Sequence, residues 1–371
     1  MPIAPATYEH LAELMLVTYE QAEQKMMSRI AKRLAKGVDS PGWTERKYAE
    51  VRAVKKEITQ SVKLLKKARV SDLNNIVTQA YSAGQGVFKT DAEKFTDLLG
   101  ISHLSPNAKK VAKILAELDD RISAADRMIL RKANDAYKNI VGQVAAQVAT
   151  GSITVREAVQ QELHMFADKG ITSFIDKSGN SWEMATYAEM ATITAIENAT
   201  LAGYIDTMQE YGFDLAVISS HEGSCPLCMA WEGVIVSVSG SNKKYPSLEE
   251  AKAGGAFHPR CLHHLSTYYE GVTKNTRSKP RAVQPASPGY SARQKQRYYE
   301  RMIRRWKRRM AVAVDPQEER AAYAHVRRYQ GQIRELIEST DEAIPRKYWR
   351  EGGIQRLSSE AKKLRPVALP R

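Results

Sequence analysis

SPNAKKVAKILAELDDRISAADRMILRKANDAYKNIVGQVAAQVATG, residues 105–151, carries the pattern that decides the fold class. Val111, Leu115, Leu118, Ile122, Ala125 and Ile129 recur at alternating steps of four and three, which keeps one face of an α-helix apolar. The step then slips through Ala133 and Tyr137 to Ile140 and Val144, as in a stutter. Ser105-Pro106 reads as a capping serine with proline at the first helical position, and Thr150-Gly151 as the stop. A stripe of this kind fits the core of an intramolecular bundle better than a seam between chains.

Toward the N-terminus the helical texture continues. Tyr8, Leu11, Leu14, Met15 and Leu16 lead through Met26, Met27 and Ile30 to the breakers Gly37 and Pro41-Gly42. A second helix is expected from Thr44 to Tyr81, with Val51, Val54, Ile58, Val62 and Leu65 on one face and Gly84 and Gly86 ending it. Residues 1–150 thus read as an all-α arm.

Beyond Gly151 the texture changes. Thr154-Val155-Arg156-Glu157 has the form of a capping box opening a helix to Gly170. Ile171–Asp176 and Ser181–Met184 flank a turn sequence and predict a small hairpin. A helix over Thr186–Tyr211 follows, then strands at Leu215–Ser219 and Val234–Val238. The expected organisation is α+β but mainly α. An α+β domain over 151–270 follows the arm, and a Pro-containing linker over 271–291 leads to a basic helical tail over 292–371.

All three cysteines lie between positions 225 and 261. Cys225-x2-Cys228 and His258-x2-Cys261 form two closely spaced pairs, the donor types and count of a closed tetrahedral zinc site. Pro226 and Pro259 fall inside the two turns and restrict their backbone. His221, His263 and His264 are spare donors. The alternatives are three buried reduced thiols, or a Cys225–Cys228 disulfide, which a reducing cytoplasm disfavours. The cluster lacks the zinc-deaminase pattern, because no residue separates His221 from Glu222 and the proline falls inside the cysteine pair. There is no Walker A loop, Gly-x-Ser-x-Gly elbow or His-Glu-x-x-His helix, so no enzymatic activity and no small-molecule substrate are expected.

The 371 residues carry a net charge of +14. Residues 274–371 hold 25 Lys and Arg against 10 Asp and Glu, so the rest of the chain is close to neutral in total. Within 292–314, Tyr299, Met302, Ile303, Trp306 and Met310 form an apolar stripe expected to pack on a helix over 318–339. Arg301, Arg304, Arg305, Lys307, Arg308 and Arg309 occupy the remaining circumference and are candidates for non-specific contact with double-stranded DNA. An acidic protein face ranks second and an anionic membrane surface third. No run of 18 uncharged apolar residues occurs, and Met1-Pro-Ile-Ala-Pro lacks the features of a secretory signal, so synthesis in the cytoplasm is expected.

Several ordered blocks resemble the phage minor capsid protein 2 family, which is related to the Mu F-type head morphogenesis proteins. They are Tyr187-Ala188-Glu189-Met190, Ile218–Gly223, Trp231–Val236, Tyr245–Ala251, Phe257–His264 and the tail block Tyr299–Arg308. Weaker similarity runs through Val326-Arg327-Arg328-Tyr329. Ile193 stands where the resemblance leads one to expect arginine. The resemblance implies a structural protein of the virion, present in few copies near the portal vertex or inside the capsid, with the portal or inner capsid as partner. Two rivals are a zinc-stabilised DNA-binding protein outside the virion and a virion-carried metal-dependent enzyme. An open three-ligand metal site beside a pocket with an acidic residue would favour the latter.

Overall fold

The computed structural model describes residues 6–93, 105–151, 153–171, 174–175, 179, 181–340 and 344–352. Helices α1 (Ala6–Ala35), α2 (Trp43–Glu93) and α3 (Ala108–Ala149) build the first layer. The stripe on α3 is buried as its spacing requires, from Val111 through Ile122, Ile129 and Tyr137 to Val144. It packs inside this chain against α1, α2 and α4 (Val155–Lys169). The start of α3 differs from expectation. Asn107 is the cap, its side chain accepting from Lys110 N at 3.2 Å, and Pro106 lies outside the helix. Asparagine caps as well as serine does, so the choice between adjacent candidates is open at sequence level. The Thr154/Glu157 capping box opens α4 as predicted.

Helix α2 also runs past its expected end, through Gly84 and Gly86 to Glu93. The reason is its crossing with α5 (Met184–Glu210). A Cβ on Gly84 would sit 2.0 Å from Thr200 O, and one on Gly203 would sit 2.1 Å from Tyr81 O. The two backbones touch, and glycine is needed there for close approach rather than for a turn.

Helix α5 joins two cores. Its first half packs Ala185, Ala188, Ala191, Ala195 and Ile196 into the helical core. Its second half carries Tyr204 and Met208 onto a small sheet. Strands β1 (Phe174–Ile175) and β2 (Ser181–Trp182) form the predicted hairpin before it. Strands β3 (Leu215–Ile218), β4 (Ile235–Ser237) and β5 (Leu265–Thr267) form an antiparallel sheet in the order β4-β3-β5. Strand β5 and the short helices α6 (Pro226–Trp231) and α7 (Leu248–Ala253) were not foreseen. The helical core extends across position 150, because α4 and the start of α5 complete it.

The stretch expected as a linker is pinned to the sheet. Arg277 N donates to Gly233 O and Ile235 N to Arg277 O, each at 2.8 Å. It gives way at Pro288 to α8 (Pro288–Ala311), capped by Ser287. Helix α9 (Pro316–Glu338) packs back on α8, with Ile303, Val326 and Ile333 buried and Tyr299, Trp306 and Met310 partly buried between them. A 3-10 turn, Tyr348–Glu351, closes over α8 and α1. Among the described residues no helix is long and apolar enough to cross a membrane.

Candidate functional site

The first cysteine pair is the start of a helix. Cys225 is the N-cap of α6, its sulfur accepting from Cys228 N at 3.3 Å, with Pro226 at the first helical position. The second pair is a tight turn in which Cys261 N donates to His258 O at 2.9 Å. Phe257 and Arg260, flanking the turn's first half and within it, adopt φ of 56° and 65°. Non-glycine residues occupy that region at a cost of about 1–2 kcal/mol, so the surroundings over-determine this turn.

The structure brings three of the four predicted donors into one group and places Cys261 in a second group that shares Cys228. Cys225, Cys228 and His258 form one group, and Cys228, Cys261 and His263 the other, each with donor atoms within 4.8 Å of one another. His258 Nε2 lies 3.0 Å from Cys225 Sγ, and the Cys228 and Cys261 sulfurs are 3.5 Å apart. Of the spare histidines, His263 joins the cluster, its Nδ1 lying 3.2 Å from Cys261 Sγ. His221 contributes no donor to either group, and its ring packs on that of His263 at 4.4 Å between centroids.

The outer contacts orient both imidazoles. His258 Nδ1 faces Pro259 O at 2.9 Å and can donate to it, which leaves Nε2 bare toward the sulfur. His263 Nε2 faces Glu232 Oε1 at 3.0 Å, which leaves Nδ1 toward Cys261. A ring nitrogen held by an oxygen fixes the tautomer that ligates a metal with the other nitrogen. Hydrogen bonding from Cys228 and the proximity of His263 outweigh burial and hold the Cys261 sulfur well below the usual thiol range. The partner thiol of Cys228 is pushed up by that same bond and by burial. The cluster is therefore chemically able to hold a metal ion, and Glu232 and His263 are the parts that sequence spacing did not reveal. Their only signal was His263 lying two residues beyond Cys261.

The basic residues of α8 are arranged very differently from a free charged face. Arg304 is buried, donating to Glu183 at 2.7 Å and to Arg350 O at 2.7 Å. Arg308 is buried between Glu183 at 3.1 Å and Glu23 at 3.8 Å, and also donates to Ala167 O at 2.9 Å. Arg305 and Arg309 each grip Asp168 through Nε and Nη2, at 2.6–2.8 Å. Lys307 donates to Glu351 O at 2.6 Å. Arg301 alone of the six has no hydrogen bond or ion pair among the described residues, and it is half-buried. Burial opposes the Glu183 carboxylate, but Arg304 and Arg308 outweigh it and hold it down at about 2. Arg305 and Arg309 likewise overcome burial to keep Asp168 well below the ordinary carboxylate range. Helix α8 is a clamp closing on α1, α4 and the start of α5.

A run of exposed, uncompensated positive charge lies elsewhere. Residues 25–69 contain 14 Lys and Arg against 4 Asp and Glu. Lys25, Arg29 and Lys32 on α1 and Lys36 just beyond its end are exposed at helical spacing, beside exposed Arg52, Lys55, Lys56 and Lys63 on α2. Among the described residues none of these eight has an ion-pair partner.

The sequence model of the family described as phage minor capsid protein 2 matches residues 3–338. A protein of Lactococcus phage LL-H named "Structural protein" is 32% identical over 231 residues, which are 58% of this chain and 61% of that protein. A "Structural protein" of Lactococcus phage mv4 is 37% identical over 116 residues, 30% of this chain and 93% of that one. The matched region thus spans less than two thirds of the LL-H relative. No solved structure matches this chain.

Proposed function

This chain belongs to the phage minor capsid protein 2 family, and from that premise we propose that it is built into the virion as a minor component of the head. In this reading it contacts the portal or inner capsid, meets packaged DNA without sequence preference, and is made in the host cytoplasm before assembly. The family match along most of the chain is the observation that carries the proposal. Sedimentation of gradient-purified particles tests it. The chain should co-sediment with heads, and its absence from particles while abundant in the lysate would overturn the assignment.

Zinc is the metal best suited to the cluster, with Cys225, Cys228, His258 and Cys261 as ligands and His263 bridging Cys261 to Glu232 from outside. Three thiolates and an imidazole form a recognised structural set, and such a site supplies folding free energy directly. The purified chain should contain about one zinc, by the stoichiometry of a closed four-ligand site, and Cys228→Ser should lose it. A metal-free wild type that folds stably would contradict the assignment.

DNA contact belongs to the α1–α2 surface rather than to α8. Two neighbouring stripes of unpaired cations release counterions on meeting phosphate, whereas the α8 arginines already face carboxylates. Binding should weaken steeply between low and physiological salt. Reversal of Lys32, Lys36, Arg52 and Lys56 to Glu should abolish it, and Arg301→Glu should change it little. Unchanged binding by the fourfold variant would refute this assignment.

A second reading has one observation in its favour. Cys261 and His263, two donors of the Cys228, Cys261 and His263 group, line a cavity that also contains Glu197, the combination a metal-dependent hydrolase would need. Zinc-loaded protein that cleaves activated phosphoesters or carboxylic esters, with the activity lost in Glu197→Gln, would establish it. Failure to cleave either class would remove it.

A further inference from the structure

Beside the Cys/His cluster lies a cavity of about 170 Å³, walled by α5, the turn before β5, α8 and the 3-10 turn. Its charge is lopsided: Arg260, Arg297, Lys347 and Arg350 line it against one carboxylate, Glu197. Three of the four come from segments far apart in sequence, and Arg260 is held there in left-handed backbone geometry at φ 65°.

Arg260 and Arg350 both pair with the buried carboxylate of Glu189, one on each oxygen. Arg260 also donates to Thr186 O at 3.1 Å and Arg350 lies 4.0 Å from Glu300, yet the Nε of each is buried without a hydrogen-bond partner. Arg297 has no hydrogen bond or ion pair among the described residues, and Glu189 and Glu300 act on it only at longer range. Burial, with Arg350 and Arg260 nearby, pulls Arg297 down to about 10. Burying a guanidinium without an anion is expensive, and here Arg297 has no direct anion while its two neighbours around the void share one carboxylate. Arginine forks match oxyanions geometrically, offering paired N–H donors to adjacent oxygens. The opposite wall is apolar, with Ile193, Leu201 and Phe257.

We propose that this cavity binds a small oxyanion, a phosphate or carboxylate group, with Arg297 as its principal partner and the charges of Arg260 and Arg350 lining the same wall. The apolar wall accommodates the body of a molecule bearing that group. The site is independent of whether the neighbouring sulfurs hold zinc, and it differs from the α1–α2 surface in being enclosed and suited to a single small ligand.

The test uses the full chain at ionic strength held constant with sodium chloride. Sodium phosphate and sodium acetate are titrated in separate arms, followed by calorimetry and by thermal unfolding. Saturable binding in either arm, with a raised unfolding temperature, is expected, and the arm that responds identifies the anion. Arg297→Gln should weaken that affinity at least tenfold, on the order expected for loss of a charge-assisted bidentate contact. Because Arg297 has no direct partner, the variant should unfold at or above the wild-type temperature when no anion is added. Arg301→Gln, outside the cavity, should bind as wild type. The proposal is overturned if neither anion binds saturably, or if Arg297→Gln binds as wild type does.

Discussion

Arg308 shows how little a residue's charge says about its task. Its side chain is 3% exposed and set between Glu23 and Glu183, carboxylates that are more than a hundred residues distant in sequence. The arginine run was legible in the sequence, but the acids that meet it were not, because periodicity reports which residues share a helix face and not what that face meets. Arg308→Met would leave Glu23 without its arginine and Glu183 with Arg304 alone, and a loss of about 3–5 kcal/mol in unfolding free energy is expected by denaturant titration. Arg301→Met, at a half-buried position with no ion pair, should stay within about 0.5 kcal/mol of wild type. The clamp also sets an acid limit. Glu183 and Asp168 have carboxyls depressed by their arginines, so their stabilisation is complete above the unfolded value of about 4 and is lost as pH falls toward about 2. Glu20 acts in the opposite sense. Burial raises it to about 7, against the pull of Arg304, Lys307 and Arg308, so stability declines as pH rises from its ordinary carboxylate value toward neutrality. Unfolding temperatures measured from pH 2 to 8 should therefore peak on the acid side of neutral, and Asp168→Asn should flatten the acid limb.

At the scale of elements, the crossing of α2 and α5 departs furthest from a reading of sequence alone. Gly84 and Gly86 have the form of a helix stop, and only the partner helix shows why glycine is needed at Gly84: its backbone lies against Thr200. Gly84→Ala should favour the isolated helix by about 1 kcal/mol through propensity, yet destabilise the protein by at least about 1–3 kcal/mol through overpacking. Gly86→Ala, whose added Cβ would meet nothing within 4 Å, should be neutral or stabilising. Thermal unfolding of the two variants separates a contact glycine from a terminating one. By contrast, the stripe on α3 and the capping box of α4 were legible in full, since their determinants are local. The Cys225 and Cys228 turn was legible as a metal motif but not as a helix start, because six residues of α6 are too few to show a period.

Over the whole molecule, summed charge concealed the distribution that matters. The near-neutral total for residues 1–273 averages a strongly basic hairpin with acidic residues elsewhere, among them Asp168 and Glu183, which meet the α8 arginines. The described residues of the expected tail accordingly pack on the body. Helix α8 fastens α1, α4 and α5 together, the 3-10 turn covers it, and a run of exposed cations without ion pairs lies along the α1–α2 hairpin. Amide hydrogen exchange of the full-length chain, resolved by peptide, tests this most directly. The account predicts that α8 is protected to the same degree as α5 and opens with it. An α8 that exchanges orders of magnitude faster than α5, as an independent basic helix would, contradicts it.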